Sequence, residues 1–247
     1  MTFDDGETVG PTAAYRPGAR IRYFRAVERE PEIPYTEEIL HQDDRLLVAD
    51  KPPFLPVTPS GPYVNECLLY RLRRRTGLPE LTALHRLDRD TSGLVLFATD
   101  TSSRKLYARL FQERRIEKEY LALAPVGAAP VNRSWEIENR IERGEPFFRM
   151  RIVPGLPNAR TRIELLEIVD GIGLFRLRPG TGKKHQLRLH LASLGYPILN
   201  DPYYPDLLPD TSRDTTRPLA LLASRLTFVD PLTGRARSFE SRRNLDN

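Results

Sequence analysis

Asp88 stands in the block His85-Arg86-Leu87-Asp88-Arg89-Asp90-Thr91-Ser92-Gly93, a carboxylate among cationic side chains just before the apolar run Leu94 to Ala98. An aspartate in such surroundings is expected to stay ionised at neutral pH, where it can act as a nucleophile or a base. The plainer reading is a polar turn whose Arg and Asp residues pair at the surface, the usual fate of an isolated Asp-x-Asp. Two further stretches carry chemistry. Lys118-Glu119-Tyr120 sets a phenol in a strand-like run, and Gly182-Lys183-Lys184-His185-Gln186-Leu187-Arg188-Leu189-His190 gathers cations at the start of a helix-like run. Taken alone, Tyr120 reads as a core aromatic of a strand and Arg188 as a solvated helix charge.

The elements that would position these residues follow from periodicity. Leu46 to Ala49 and Leu94 to Ala98 are apolar strands. A helical stretch is expected from Asn65 through Leu68, Leu69 and Leu72 to about Gly77, and a second one capped by Ser102 or Ser103 and carrying Leu106, Leu110 and Phe111. Strand patterns then recur at Ile116 to Ala124, Trp135 to Ile141, Phe147 to Val153, Thr161 to Val169 and Leu174 to Arg178. A further helix is expected over Lys184 to Leu194, stopped by Gly195. Closing strands at Leu226 to Val229 and Arg237 to Phe239 flank the turn signal Asp230-Pro231-Leu232-Thr233-Gly234. Many strands with few helices between them argue for an α+β domain with a largely antiparallel sheet, and against a doubly wound parallel one.

A chain of 247 residues suits one large domain or two small ones. Residues 39–247 are read as one catalytic domain. Residues 1–38, rich in Pro, Gly and charge, are read as an extension wrapped on it, with Arg20 to Arg25 alternating like an edge strand. The net charge of +5 and pI near 9.4, with cations recurring beside the motifs and acids in the opening segment, favour a polyanionic partner for the catalytic part. A single cysteine, Cys67, excludes an internal disulfide and a Cys-rich zinc site, and fits a reducing compartment. No apolar stretch approaches the roughly 20 residues that cross a bilayer, and the start Met1-Thr2-Phe3-Asp4-Asp5 lacks an export signal. A cytoplasmic protein, without membrane attachment, is expected.

The block around Asp88 resembles the His-Arg-Leu-Asp-x-x-Thr-Ser-Gly pattern of the RluA family of RNA pseudouridine synthases. The likeness continues in Leu46-Leu47-Val48-Ala49-Asp50-Lys51-Pro52, in Lys118-Glu119-Tyr120, and in the Gly182 to His190 block with Leu194-Gly195-Tyr196-Pro197-Ile198 and Asn200-Asp201-Pro202 after it. Four motifs in order over roughly residues 39 to 239 make the resemblance specific. It implies a mixed, mainly antiparallel sheet with flanking helices and an active-site cleft across its middle. It implies isomerisation of uridine in structured RNA, ribosomal or transfer. That chemistry has no redox step and no ligand cluster is visible, so no cofactor or metal is expected; a monomer without an obligate protein partner is expected. Relatives often carry an N-terminal S4 domain; residues 1–38 are too short and Pro-rich to be one.

On this resemblance Asp88 is the catalytic aspartate, attacking ribose or base or removing a sugar proton. Arg188 would pair with it, and Tyr120 would lie against the target base. Arg86 would enter the RNA helix where the uridine leaves it. Lys183, Lys184 and His185 would meet the RNA backbone. His85 could do the same, or serve as a buried structural histidine. Asp90 falls at a position the pattern leaves free and is expected to be structural. The chain departs from the pattern at Lys183-Lys184, where relatives show Arg-Thr or Arg-Ser, and near the C-terminus at Leu221 to Ser224 and Asp230-Pro231.

Two other functions compete. Asp88-Arg89-Asp90-Thr91 fits the Asp-x-Asp-x-Thr signature of haloacid-dehalogenase-type phosphatases, but that nucleophile ends a hydrophobic strand, whereas here the apolar run follows. A non-catalytic RNA-binding protein would not need Asp88, Tyr120 and Arg188 together. The histidines His41, His85, His185 and His190 have no zinc-like spacing.

Overall fold

The computed structural model describes residues 1–22, 30–127, 132–209 and 216–245. The short strands β1 (Thr2–Phe3) and β2 (Ile21–Arg22) pair with each other, apart from the main sheet. Only Ile21 and Arg22 of the expected Arg20 to Arg25 strand are seen as such; residues 23–25 lie outside the described residues. The chain then runs through β3 (Glu38–Gln42), β4 (Leu46–Lys51), α1 (Leu68–Thr76), β5 (Thr82–Ala83), β6 (Ser92–Ala98) and α2 (Thr101–Gln112). Next come β7 (Glu117–Pro125), β8 (Ser134–Arg143), β9 (Met150–Val153), β10 (Ala159–Val169) and β11 (Ile172–Pro179). The helix α3 (Gln186–Ser193) and the strands β12 (Leu221–Val229) and β13 (Ala236–Glu240) complete it.

Eleven strands form one sheet in the order β3-β4-β6-β12-β7-β11-β10-β8-β9, with β13 on β12 and β5 on β6. Among the described residues only β6 and β12 pair in parallel; every other pairing is antiparallel, so the fold is α+β with a mixed, mainly antiparallel sheet. β4 and β6 are buried along their whole length because both faces are covered. Leu47, Ala49, Val95 and Phe97 pack with Leu68 and Leu72 of α1, while the alternating Leu46, Val48, Leu94 and Leu96 pack with Tyr107 and Leu110 of α2. That division follows from the two-residue period of a strand, and it explains why these runs read as unbroken apolar sequence.

The helices differ from expectation at their starts. α1 begins at Leu68, because the backbone N–H groups of Val64, Asn65 and Glu66 donate to the Glu30 carboxylate and hold that stretch outside the helix. Glu30 and the buried Ile33, whose carbonyl accepts from Arg71, also fasten the segment before β3 to α1. α1 ends as expected at Gly77, in the left-handed region at φ 71°. The cap of α2 is Asp100, not Ser102 or Ser103: its carboxylate accepts both of their backbone N–H groups, and both hydroxyls donate to it. Phe147 and Phe148 precede β9, in the turn that joins it to β8. β12 begins at Leu221, five residues before the expected Leu226, because Leu222 and Ala223 pair with Ser92 and Gly93. This pairing explains Gly93, which sits at φ 107° and whose Cβ would lie 2.3 Å from the Ala223 carbonyl oxygen.

Candidate active site

Asp88 lies in the loop between β5 and β6, on the floor of a cleft of about 440 Å³. The loop is tied down from below. The buried Lys51, at the end of β4, donates from Nζ to the carbonyls of Pro52, Leu55 and Arg89 at 2.9, 2.8 and 2.8 Å. Burial pushes the Lys51 ammonium down to about 7, against the pull of Asp90 and Asp88. Thr91 N–H closes the turn on the Asp88 carbonyl, and the buried Asp90 accepts from Arg89 Nε at 2.9 Å. Asp88 thus heads a rigid bend that delivers the chain into β6.

Arg188 comes from α3, a helix with both its faces largely inside the protein, so that only 1% of the residue is exposed. Its Nη1 stands 3.9 Å from Asp88 Oδ2. The expected pairing is therefore charge attraction at a distance, without a hydrogen bond. The tight partner is Asp201, which accepts from Nε at 2.7 Å and from Nη2 at 2.5 Å. Asp201 was only a member of a motif in the sequence, and its role there was not legible. The guanidinium carbon also lies 4.8 Å from the Tyr203 ring centroid and 5.5 Å from that of Tyr204.

Tyr120, in the middle of β7, lines the same cleft and packs against the clusters on both sides of it. Burial and the Asp88 charge push its hydroxyl pKa upward, so it stays protonated at neutral pH. The Asp88 carboxyl is shifted in the same direction. Burial raises its pKa more than Arg188, Lys184 and Lys51 lower it, with Asp90 adding to the rise. A carboxylate made more basic in this way is a better base and nucleophile once ionised.

The rim is cationic. Arg86, Lys183 and Lys184 are exposed at the cleft, and Lys184 Nζ reaches the Phe148 carbonyl at 2.8 Å. Gln186 shapes this rim: its side-chain oxygen accepts from Thr181 Oγ1 and Lys183 N–H, and its amide donates to the Arg160 carbonyl and Thr161 Oγ1. The chain at Lys183 and Lys184 is thereby kept out of α3, which starts at Gln186 and not at Lys184. His185, in the left-handed region at φ 55°, turns inward. Its Nδ1 shares a hydrogen bond with the Tyr204 hydroxyl at 2.9 Å, its ring stacks on Tyr203, and its Nε2 lies 4.0 Å from Asp88 Oδ2. Burial and the neighbouring cations hold it neutral, so it meets Asp88 as an uncharged imidazole and is not placed as a backbone cation.

His85 lies outside the cleft. Its Nε2 accepts from Leu96 N–H at 3.1 Å and its ring stacks on Phe111 with centroids 4.6 Å apart, which is the structural role the sequence had left open. Cys67 is buried at the N-cap of α1. Among the described residues no group of three or more His, Cys, Asp or Glu side chains could hold a metal ion. None of the described helices is long and apolar enough to cross a membrane. Asp88 precedes β6 and does not end a strand, so the phosphatase arrangement is not formed.

Comparison with known proteins identifies the family. Residues 45–193 match the family model of RNA pseudouridylate synthase. An uncharacterized RNA pseudouridine synthase of Synechocystis is 34% identical over 220 residues, 87% of this chain and 74% of its own. The dual-specificity RNA pseudouridine synthase RluA of Pasteurella multocida is 33% identical, over 85% of this chain and 94% of its own. The structure of human RNA pseudouridylate synthase domain containing 1 superposes with a TM-score of 0.68 at 25% identity, over 87% of this chain and 86% of that one. With a cleft headed by Asp88, walled by Tyr120 and backed by Arg188, and relatives alike over most of their length, the chain belongs to the RluA family of RNA pseudouridine synthases.

Proposed function

We propose that this enzyme isomerises specific uridines of a structured ribosomal or transfer RNA to pseudouridine, with Asp88 carrying the covalent or proton-transfer step. The observation that supports this most is the convergence of Asp88, Tyr120 and Arg188 on one cleft from three distant segments. The reaction breaks the bond from uracil N1 to ribose C1′, turns the base, joins C5 to C1′ and releases the C5 proton, while N1 takes up a proton. It is redox-neutral, so no electron carrier is needed. Asp88 can attack the ribose or the base, or remove a sugar proton, and its raised basicity suits each. Tyr120 offers the base a ring face, and related single-strand sites gain about 1–3 kcal/mol from such stacking. Arg86 would fill the gap left by the extruded uridine, whose unstacking costs a few kcal/mol. Lys183 and Lys184 would meet phosphates.

On the same reading residues 39–247 are the catalytic domain and 1–38 an extension, and the protein works as a cytoplasmic monomer without a cofactor. The direct test is tritium release from RNA labelled at uridine C5. It is paired with a map of pseudouridine in total RNA from cells with and without the gene. Release, and sites lost with the gene, are expected; an unchanged map and no release from ribosomal or transfer RNA would overturn the proposal.

A further inference from the structure

We propose that Asp201 is a positioning residue for the reaction: by holding Arg188 through Nε and Nη2, it leaves Nη1 alone to face Asp88 and prevents Arg188 from locking the Asp88 carboxylate. This rests on the reading of Asp88 as the catalytic aspartate. An arginine fork presents two donors along one edge, and a carboxylate that takes both is held bidentately. Asp201 occupies the Nε–Nη2 edge, and its own side chain is 1% exposed. It is fixed in turn, since Tyr203 N–H and Tyr204 N–H both donate to its Oδ1, at 2.8 and 3.1 Å. The chain is bent to present it: Asn200 lies in the left-handed region at φ 60°. Tyr203 and Tyr204 then cover the guanidinium.

The consequence is a buried nitrogen left over. Among the described residues Arg188 Nη1 has no hydrogen-bond partner, and Asp88 Oδ2 is 3.9 Å away. A buried guanidinium without a carboxylate would close on the nearest one, because an uncompensated buried charge is strongly unfavourable. Asp201 supplies that compensation. Asp88 keeps its oxygens for substrate and feels Arg188 as half of a neutral pair. That accounts for burial outweighing attraction at Asp88, which faces Arg188, Lys51 and Lys184 as cations, Asp90 as an anion, and the neutral His185 and Tyr120.

The test uses Asp201→Asn and Asp201→Glu in the full chain, with folding followed by circular dichroism. Asp201→Glu keeps the charge and displaces the fork. It is expected to lower kcat about tenfold or more, with KM for RNA within about twofold. Asp201→Asn frees Arg188, and carbon-13 NMR titration of the Asp88 carboxyl, assigned with Asp88→Asn, is expected to show a pKa lowered by about one unit or more. That titration needs no turnover. An inactive wild type would sink the functional reading, whereas an unmoved Asp88 titration would sink this one. Wild-type kcat in Asp201→Glu, or loss of the fold in both variants, would equally overturn it and leave Asp201 a structural residue.

Discussion

Arg188 Nη1 and Asp88 Oδ2 stand 3.9 Å apart, inside the reach of charge attraction and outside that of a hydrogen bond. Among the described residues that oxygen of Asp88 therefore has no fixed donor from Arg188. Asp88→Asn keeps the shape and removes the charge. It is expected to abolish turnover, with a loss of at least about a thousandfold, while RNA affinity stays within about threefold. Tritium release and filter binding measure the two; release near the wild-type rate would refute the assignment.

Arg86 is exposed at the mouth of the cleft, two residues before Asp88. If it stabilises the gap left by the uridine, Arg86→Ala should slow turnover about tenfold or more on a stem whose target is stacked, and much less where the target is already unpaired. Lys183→Ala, as a lost phosphate contact, should weaken both substrates alike and reduce the salt slope by about one at most. Equal losses on both substrates for Arg86→Ala would leave it an electrostatic neighbour only.

Gly93 joins the Asp88 loop to the one parallel seam of the described sheet. A methyl group there would strike the Ala223 backbone and hold a side chain at φ 107°. Gly93→Ala is expected to cost about 3 kcal/mol or more, read as a lowered urea midpoint. A midpoint near that of the wild type would mean that β6 and β12 can part without cost.

Three histidines are held in neutral form, His85 half-buried and the other two buried: His85 is pushed down to about 3, His190 to about 4, and His185 also well below its ordinary value. Burial is the leading cause for each. The unfolded chain, near 6.5, then binds more protons than the folded one, so stability falls as pH drops from 6.5 towards those folded values. Asp50 and Asp88, raised by burial, act in the opposite sense. His85→Gln isolates one contribution. Between pH 7.5 and 5.0 its urea stability should fall by about 2 kcal/mol less than that of the wild type. Equal losses in both proteins would exclude a neutral His85 as a source of the acid sensitivity.

Local pattern determined much of this protein. The runs at Leu46 to Ala49 and Leu94 to Ala98 are strands because apolar β-rich segments covered on both faces need no polar alternation. The helix stops at Gly77 and Gly195 are both at positive φ, which a residue without Cβ adopts freely. The cluster of Asp88, Tyr120 and Arg188 was legible from the order of its motifs, and the cleft brings all three together. What the tertiary structure decided is who partners whom. Arg188 had several aspartates to choose from and took Asp201, because the bend at Asn200 sets that carboxylate along its fork. His85 turned towards Phe111 and the Leu96 amide, although its motif neighbours Arg86 and Asp88 face the cleft. Gln186, unremarked in the sequence, holds the cationic rim through atoms on β10 and the loop before α3. Backbone periodicity is a property of neighbours along the chain. The partner of a charge, or of a buried amide, depends on distances of a few ångströms between segments far apart in sequence, and those exist only once the sheet has closed around them.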